Sequence, residues 1–335
     1  MAAAPQRLQL SGVFTAIVTP FTADGGAVDY AKLAELSVAM FAGALFCLLA
    51  RQDRSYPALP LSRRYTRVES QIADGVSGIV PMGTTGECPT VSHEEHEKIV
   101  TTVVKAVNGR VPVIAGTGSN CTAEALRLTR HAKACGADAC LMVNPYYNKP
   151  TQEGLYQHYK KVAEVGLPIV LYNIPGRTGI TMSAQTVARL YTECPEIVAI
   201  KEATGSLDLA TEIASLCDIT ILSGDDGLTL PLMSIGAKGV VSVLSNFAPK
   251  EMLAIVDAVN RGDLAAAAKQ HVRIFQLCKT MFCETNPQPV KYAMQCLGIL
   301  NETCRLPLTN CLPENKKKVE AVLATYGFLG SNGAK

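Results

Sequence analysis

The sequence predicts an α/β fold, a (β/α)8 TIM barrel followed by a C-terminal helical appendage. Three observations carry that expectation. Eight short apolar runs rich in β-branched residues recur along the 335-residue chain, each run is apolar on both faces rather than alternating, and amphipathic helical segments separate them. Right-handed crossovers and a closing sheet leave few other solutions, a doubly wound open sheet being the runner-up.

The runs read, in order, GVFTAIVTPF (12–21), SGIVPMGTT (77–85), VPVIAGTG (111–118), ACLMVNPYY (139–147), PIVLYNIP (168–175), IVAIKEA (197–203), ITILSGDD (219–226) and GVVSVLSN (239–246). Between them, HEEHEKIVTTVVKAV, TAEALRLTRHAKACG, QEGLYQHYKKVAEVG and SAQTVARLYTEC place apolar residues at helical spacing, and several end at Gly or Pro. The barrel is expected over 12–247, and 248–330 reads as a helical region.

Composition narrows the class of protein. The chain is 48% hydrophobic and 18% charged with net charge +2, and no long basic or acidic run calls for nucleic acid. Twelve scattered cysteines without a CxxC pair read as reduced core thiols of a cytosol-like compartment. The first eleven residues lack the marks of a secretory signal, so a cytoplasmic protein is expected; a plastid remains open if a transit peptide is missing. SVAMFAGALFCLLA (37–50) falls short of the ~20 residues of a membrane span.

Barrel active sites are built at the C-terminal ends of the strands. Those ends carry Thr84 and Thr85, Tyr146 and Tyr147, Tyr172, Lys201 and Gly224. Lys201 ends an apolar strand, where an ammonium ion is costly to bury. It is either an ion-pair partner, to Glu202 or another strand-end acid, or a desolvated amine able to attack a carbonyl and form a Schiff base. Tyr172, one strand away, suits the proton shuttle that imine formation requires. GTTGE (83–87) offers hydroxyls and backbone N–H groups to a carboxylate, and the fork of Arg177 suits a second one.

Taken together, GTTGE, PYYNKPTQEGLYQHY, YNIPGRTG, IKEATG and LSGDD resemble the dihydrodipicolinate synthase family, relatives of N-acetylneuraminate lyase. The resemblance spans essentially the whole chain apart from 37–67 and the tails. It implies condensation of pyruvate with aspartate 4-semialdehyde on the route to diaminopimelate and lysine, by a class I aldolase-type lyase. Lys201 would form the imine. Tyr172, Thr84 and Tyr147 match the family's proton relay, the equivalent of Tyr147 coming from a neighbouring subunit. Thr85 and Gly224 would lie against the pyruvate carboxylate, Arg177 would hold that of the semialdehyde, and Val241 stands where a backbone carbonyl approaches the substrate. The paired threonines and Arg177 favour this reading over a neuraminate lyase, and the complete catalytic set favours it over a silent relative. No metal or organic cofactor is expected, since the lysine itself supplies the electron sink. A homo-oligomer is expected, in keeping with a family usually built as a dimer of dimers.

HEEH (93–96) lacks the HExxH spacing of a zinc site and reads from its residues as a helix start after Ser92. The resemblance adds another meaning: His93, His96, Asn120, Glu124 and Tyr146 correspond to positions that bind inhibitory lysine at a subunit interface. Cys88 and Pro89 depart from the small residues common beside them.

Residues 37–67 interrupt the first helix. Removing them joins YAKLAEL to VESQIADGVSG with continuous helical spacing, so this stretch of 31 residues reads as an insertion, either a genuine surface extension or an artefact of gene structure. Its apolar half would expose a patch that invites association. Deleting 37–67 is expected to preserve or improve soluble yield and activity; a deletion variant that misfolds overturns the insertion.

Overall fold

A computed structural model describes residues 7–37 and 75–329, so the proposed insertion, apart from Ser37, lies outside the described residues. Eight strands form one parallel sheet: β1 (Gly12–Ala16), β2 (Gly78–Val80), β3 (Ile114–Gly116), β4 (Ala139–Val143), β5 (Ile169–Asn173), β6 (Ile197–Glu202), β7 (Thr220–Ser223) and β8 (Gly239–Ser242). Their order is β2-β1-β8-β7-β6-β5-β4-β3. The remaining seam closes through a parallel bridge between Ile79 and Val113 and through Ile79 N–H to Pro112 O (3.0 Å) and Gly116 N–H to Pro81 O (2.8 Å). Glycine is needed at 116, because a Cβ there would lie 2.0 Å from the Met82 carbonyl oxygen.

Helices α1 (Tyr30–Ser37), α2 (His93–Val107), α3 (Thr122–Cys135), α4 (Gln152–Ala163), α5 (Ala184–Glu193), α6 (Leu207–Leu216) and α7 (Thr229–Ser234) alternate with the strands. Then follow α8 (Pro249–Asn260), which packs on β1, and α9 (Leu264–Thr280), α10 (Gln288–Cys296) and α11 (Pro313–Thr325). The start of α2 is set by a capping box: Ser92 Oγ accepts from Glu95 N–H (3.1 Å), and the Glu95 carboxylate accepts from Ser92 N–H (2.9 Å). HEEH is thus the first turn of a helix, as its residues predict.

Two apolar cores result from the strand alternation. Phe14, Val80, Ile114, Leu141, Val170, Tyr172, Leu222 and Val241 fill the barrel interior, whereas Val13, Ile79, Met142, Leu171, Ile200 and Val240 face the helices. The strands are shorter than the apolar runs. The second run, expected over 77–85, forms a strand only over Gly78–Val80, because beyond it the chain turns into the GTTGE loop.

That loop is fastened to the C-terminal helices by a fully buried ion pair. Lys291 Nζ on α10 donates to Glu87 Oε1 and to the Thr303 carbonyl (2.7 Å), and lies 4.4 Å from the centre of the Phe21 ring. Glu87 Oε2 accepts from Arg305 N–H (3.1 Å), and the Arg305 guanidinium grips Glu95 with two bonds of 2.6 and 2.8 Å. A second buried carboxylate ties β7 to β8: Asp226 Oδ2 accepts from Val243 N–H (3.0 Å) and Leu244 N–H (2.9 Å). Burial pushes its pKa up to about 6, and the charge of Asp225 adds to the shift.

Stranding one member of the buried pair leaves an uncompensated charge, so Lys291→Met is expected to destabilise the fold by about 3–5 kcal/mol. Denaturant unfolding is the measurement, and Glu87→Gln combined with Lys291→Met should lose less than the sum of the single changes. Additive losses, or a single loss below about 1 kcal/mol, would contradict this role.

Candidate active site

Alternation on β6 places Ile200 toward the helices and Lys201 toward the barrel axis. Lys201 is 6% exposed, and its register partners are Tyr172 on β5 and Leu222 on β7. Its Nζ lies 4.0 Å from the centre of the Tyr172 ring. Glu202 faces the other way: its Oε1 accepts from Thr204 N–H (2.7 Å), and burial raises its pKa. The ion-pair reading of Lys201 with Glu202 therefore fails, since consecutive strand residues point to opposite faces.

Gly224 follows β7 and lies against the lysine stem. A Cβ there would meet the Ala203 Cβ at 2.6 Å, the Glu202 carbonyl oxygen at 3.1 Å and the Lys201 Cε at 3.2 Å. Its missing side chain makes room for the lysine. Val241 belongs to the same interior core as Tyr172. Behind the wall, Tyr159 donates to Asn144 Oδ1 (2.8 Å), Asn144 Nδ2 to Asn173 Oδ1 (3.1 Å), and Asn173 Nδ2 to the Met182 carbonyl (3.0 Å). This buried relay fixes the ends of β4 and β5. Asparagines directly after apolar runs were its only trace in the sequence.

Thr84 and Thr85 sit in the turn that Glu87 anchors, with Thr85 buried. Asn286 Nδ2 donates to Thr85 Oγ1 (3.0 Å), and Arg177 Nη2 donates to the Asn286 carbonyl (3.3 Å). Reading the sequence missed Asn286, because TNPQP looks like an ordinary turn. Tyr147 stands apart: it is 90% exposed, with a left-handed φ of 70°.

A cavity of about 560 Å³ runs from Thr84, Arg177 and Asn286 to His93, His96, Glu124 and Tyr146, with Cys88 and Pro89 between. Lys201, Tyr172 and Asn120 are not among its lining residues; the Asn120 carbonyl accepts from Asn148 Nδ2 (2.9 Å). Glu124 takes Ser119 Oγ–H on one oxygen and stands 3.2 Å from His93 Nε2 with the other. Burial pushes the pKa of His96 down to about 4, and its Nε2 must carry the proton, because its partner at 2.9 Å is the Gly116 carbonyl. Burial likewise raises the Tyr146 phenol, and pushes the Cys88 thiol up to about 12 despite the nearby Arg177. This arm of the cavity therefore brings the Glu124 carboxylate together with the His93 and His96 imidazoles and the Tyr146 phenol, beside the Cys88 thiol.

The profile of the dihydrodipicolinate synthetase family matches residues 59–326. The 4-hydroxy-tetrahydrodipicolinate synthase of Geotalea daltonii is 48% identical over 321 residues, covering 95% of this chain and 99% of the relative. Among solved structures, a monomeric dihydrodipicolinate synthase variant is 38% identical with TM-score 0.83, covering 95% of this chain and 97% of that one. A dihydrodipicolinate synthase of Cyanidioschyzon merolae with lysine bound is 37% identical with TM-score 0.83, covering 95% of this chain and 99% of its own.

Adding a methyl group at 224 tests whether the lysine needs the space it occupies. Gly224→Ala is expected to slow borohydride trapping of a carbonyl on Lys201 about 100-fold, the order of loss from a displacement of ~1 Å, with the fold retained. Trapping at the unaltered rate would refute the packing argument.

Proposed function

The chain belongs to the dihydrodipicolinate synthetase family, and from that premise we propose how its barrel mouth condenses pyruvate with L-aspartate 4-semialdehyde to 4-hydroxy-tetrahydrodipicolinate. This is lyase chemistry of the class I aldolase type, in lysine and diaminopimelate biosynthesis. The observation that carries the assignment of the nucleophile is Lys201, buried on the inner face of β6 with Tyr172 beside it and Gly224 clearing its stem.

The neutral Lys201 amine attacks the keto carbon of pyruvate, water leaves, and an imine forms. Loss of a methyl proton gives the enamine, whose carbon adds to the aldehyde of the second substrate. The amino group of that substrate then attacks the imine carbon, closing the ring and releasing Lys201. Every step moves a proton, and Tyr172, Thr84 and Tyr147 are the relay for them. Thr85 and Gly224 hold the pyruvate carboxylate, Arg177 holds that of the semialdehyde, and the Val241 carbonyl faces the bound substrate.

A tyrosine as exposed as Tyr147 is poorly placed to serve its own barrel. It serves a neighbouring copy, which makes the working unit at least a dimer and, by family habit, a tetramer. The arm of the cavity lined by His93, His96, Glu124 and Tyr146, with Asn120 at its edge, is the place for feedback inhibition by lysine, the Glu124 carboxylate meeting an ammonium group. The reaction takes place in the cytoplasm.

Product formation from the two substrates, assayed with and without lysine, tests the whole reading. Borohydride with pyruvate is expected to leave a reduced pyruvyl adduct on Lys201, Lys201→Arg to leave none, and added lysine to lower the rate. Folded protein without an adduct would defeat the imine mechanism; an unchanged rate under saturating lysine would defeat the inhibitor site alone. Sedimentation tests the assembly, and an active monomer would defeat the role of Tyr147.

A further inference from the structure

Asn286, from the C-terminal region, is bonded to a hydroxyl of GTTGE. It is buried, lines the cavity, and joins the two residues assigned to carboxylates: its Nδ2 donates to Thr85 Oγ1 (3.0 Å), and its carbonyl accepts from Arg177 Nη2 (3.3 Å). The direction of the first bond matters. A threonine hydroxyl has a single proton, and an amide N–H arriving on its oxygen occupies a lone pair and leaves that proton to be donated elsewhere. Were the amide turned over, its Oδ1 would consume the hydroxyl proton, and Thr85 would present lone pairs to an incoming carboxylate. The observed arrangement suits an anion. The second bond occupies one edge of the Arg177 guanidinium and leaves its other N–H groups for substrate.

We propose that Asn286 is a positioning residue for the condensation, acting through Thr85: its amide turns the Thr85 hydroxyl proton toward the carboxylate of pyruvate, while its backbone carbonyl sets the orientation of Arg177. The proposal rests on the reading of Thr85 as a pyruvate-carboxylate ligand. It makes an amide, and not merely a residue of that volume, the requirement at 286. An isosteric carboxylate can only accept, so it would reverse the Thr85 hydroxyl.

The test is the pyruvate concentration that gives half-maximal borohydride trapping on Lys201, measured on the full chain. Asn286→Asp is expected to raise it about tenfold at about pH 8, the loss of one hydrogen bond to a charged group. The rise should shrink toward about pH 5, where the new carboxyl begins to take a proton and can donate again. Asn286→Ala, which removes the donor without adding an acceptor, should raise it about threefold. The KM for the semialdehyde should stay within about threefold in both, since the backbone carbonyl that meets Arg177 is retained. A purely structural role would raise both constants together and show no recovery in acid.

Thr85→Val separates the inference from its premise. In that background Asn286→Asp is expected to add less than about twofold, because the hydroxyl through which it acts is gone. If the full effect persists without the hydroxyl, or if Asn286→Asp and Asn286→Ala both match the parent within about twofold while folded, the positioning role is overturned. If Asn286→Asp does not fold, Asn286→Ala decides by the same criterion. A parent that traps pyruvate normally while Thr85→Val leaves its half-saturation unchanged overturns the reading of Thr85, and the inference with it.

Discussion

The mouth of this barrel depends on a buried ion pair that lies outside the barrel. Glu87 and Lys291 have no exposed side-chain surface, and taking two charges out of water is unfavourable unless every donor and acceptor is matched. Here the matching is close to complete. Lys291 has Glu87 and the Thr303 carbonyl, Glu87 has the Arg305 N–H on its other oxygen, and the Phe21 ring lies beneath the ammonium. Glu87 itself adopts a left-handed φ of 56°, which turns the chain after the two threonines. The pair therefore sets the path of the loop that presents Thr84 and Thr85. Asn286, five residues before Lys291, arrives at Thr85 by the same attachment.

Lys201 answers to a different constraint, the alternation of a strand buried on both faces. Its neighbours Ile200 and Glu202 are turned to the helical side, so only one of three successive residues reaches the axis. Below it the interior is filled by Phe14, Val80, Ile114, Leu141 and Val170, which confines polar chemistry to the rim. A lysine so placed is shielded from water by apolar layers beneath and by Tyr172 beside it. Under the mechanism proposed for Lys201, the burial that would be costly for a structural lysine serves a nucleophile.

The eight strands were legible because a parallel strand covered by helices is apolar on both faces, a pattern that needs no partner to be seen. Lys201, Tyr172 and Gly224 were legible as interruptions of that pattern. Strand ends were less so: the residues of VNPYY and LYNIP continue the run in composition, yet β4 stops at Val143 and β5 at Asn173, where Asn144 and Asn173 join a buried side-chain relay. The Ser92–Glu95 capping box follows from local spacing and was visible in outline. The Glu87–Lys291 pair and the Asn286–Thr85 bond were not, because their partners stand about two hundred positions apart, and Lys291 and Asn286 alone look like ordinary surface groups. Of the five residues expected to bind inhibitory lysine, His93, His96, Glu124 and Tyr146 line one cavity, and Asn120 contributes its carbonyl to Asn148.

Closure of the sheet brings Gly12 beside Gly239 and Phe14 beside Val241, so the first strand made pairs with the last. At a synthesis rate of about 5–20 residues per second, the partner of β1 emerges roughly 10–45 s after it. For that interval β1 keeps the edge that β8 will cover unpaired, and an unpaired edge is a template for association. The seam between the two ends of the sheet is thus the last that synthesis allows to form, and the order of assembly is set by the chain itself.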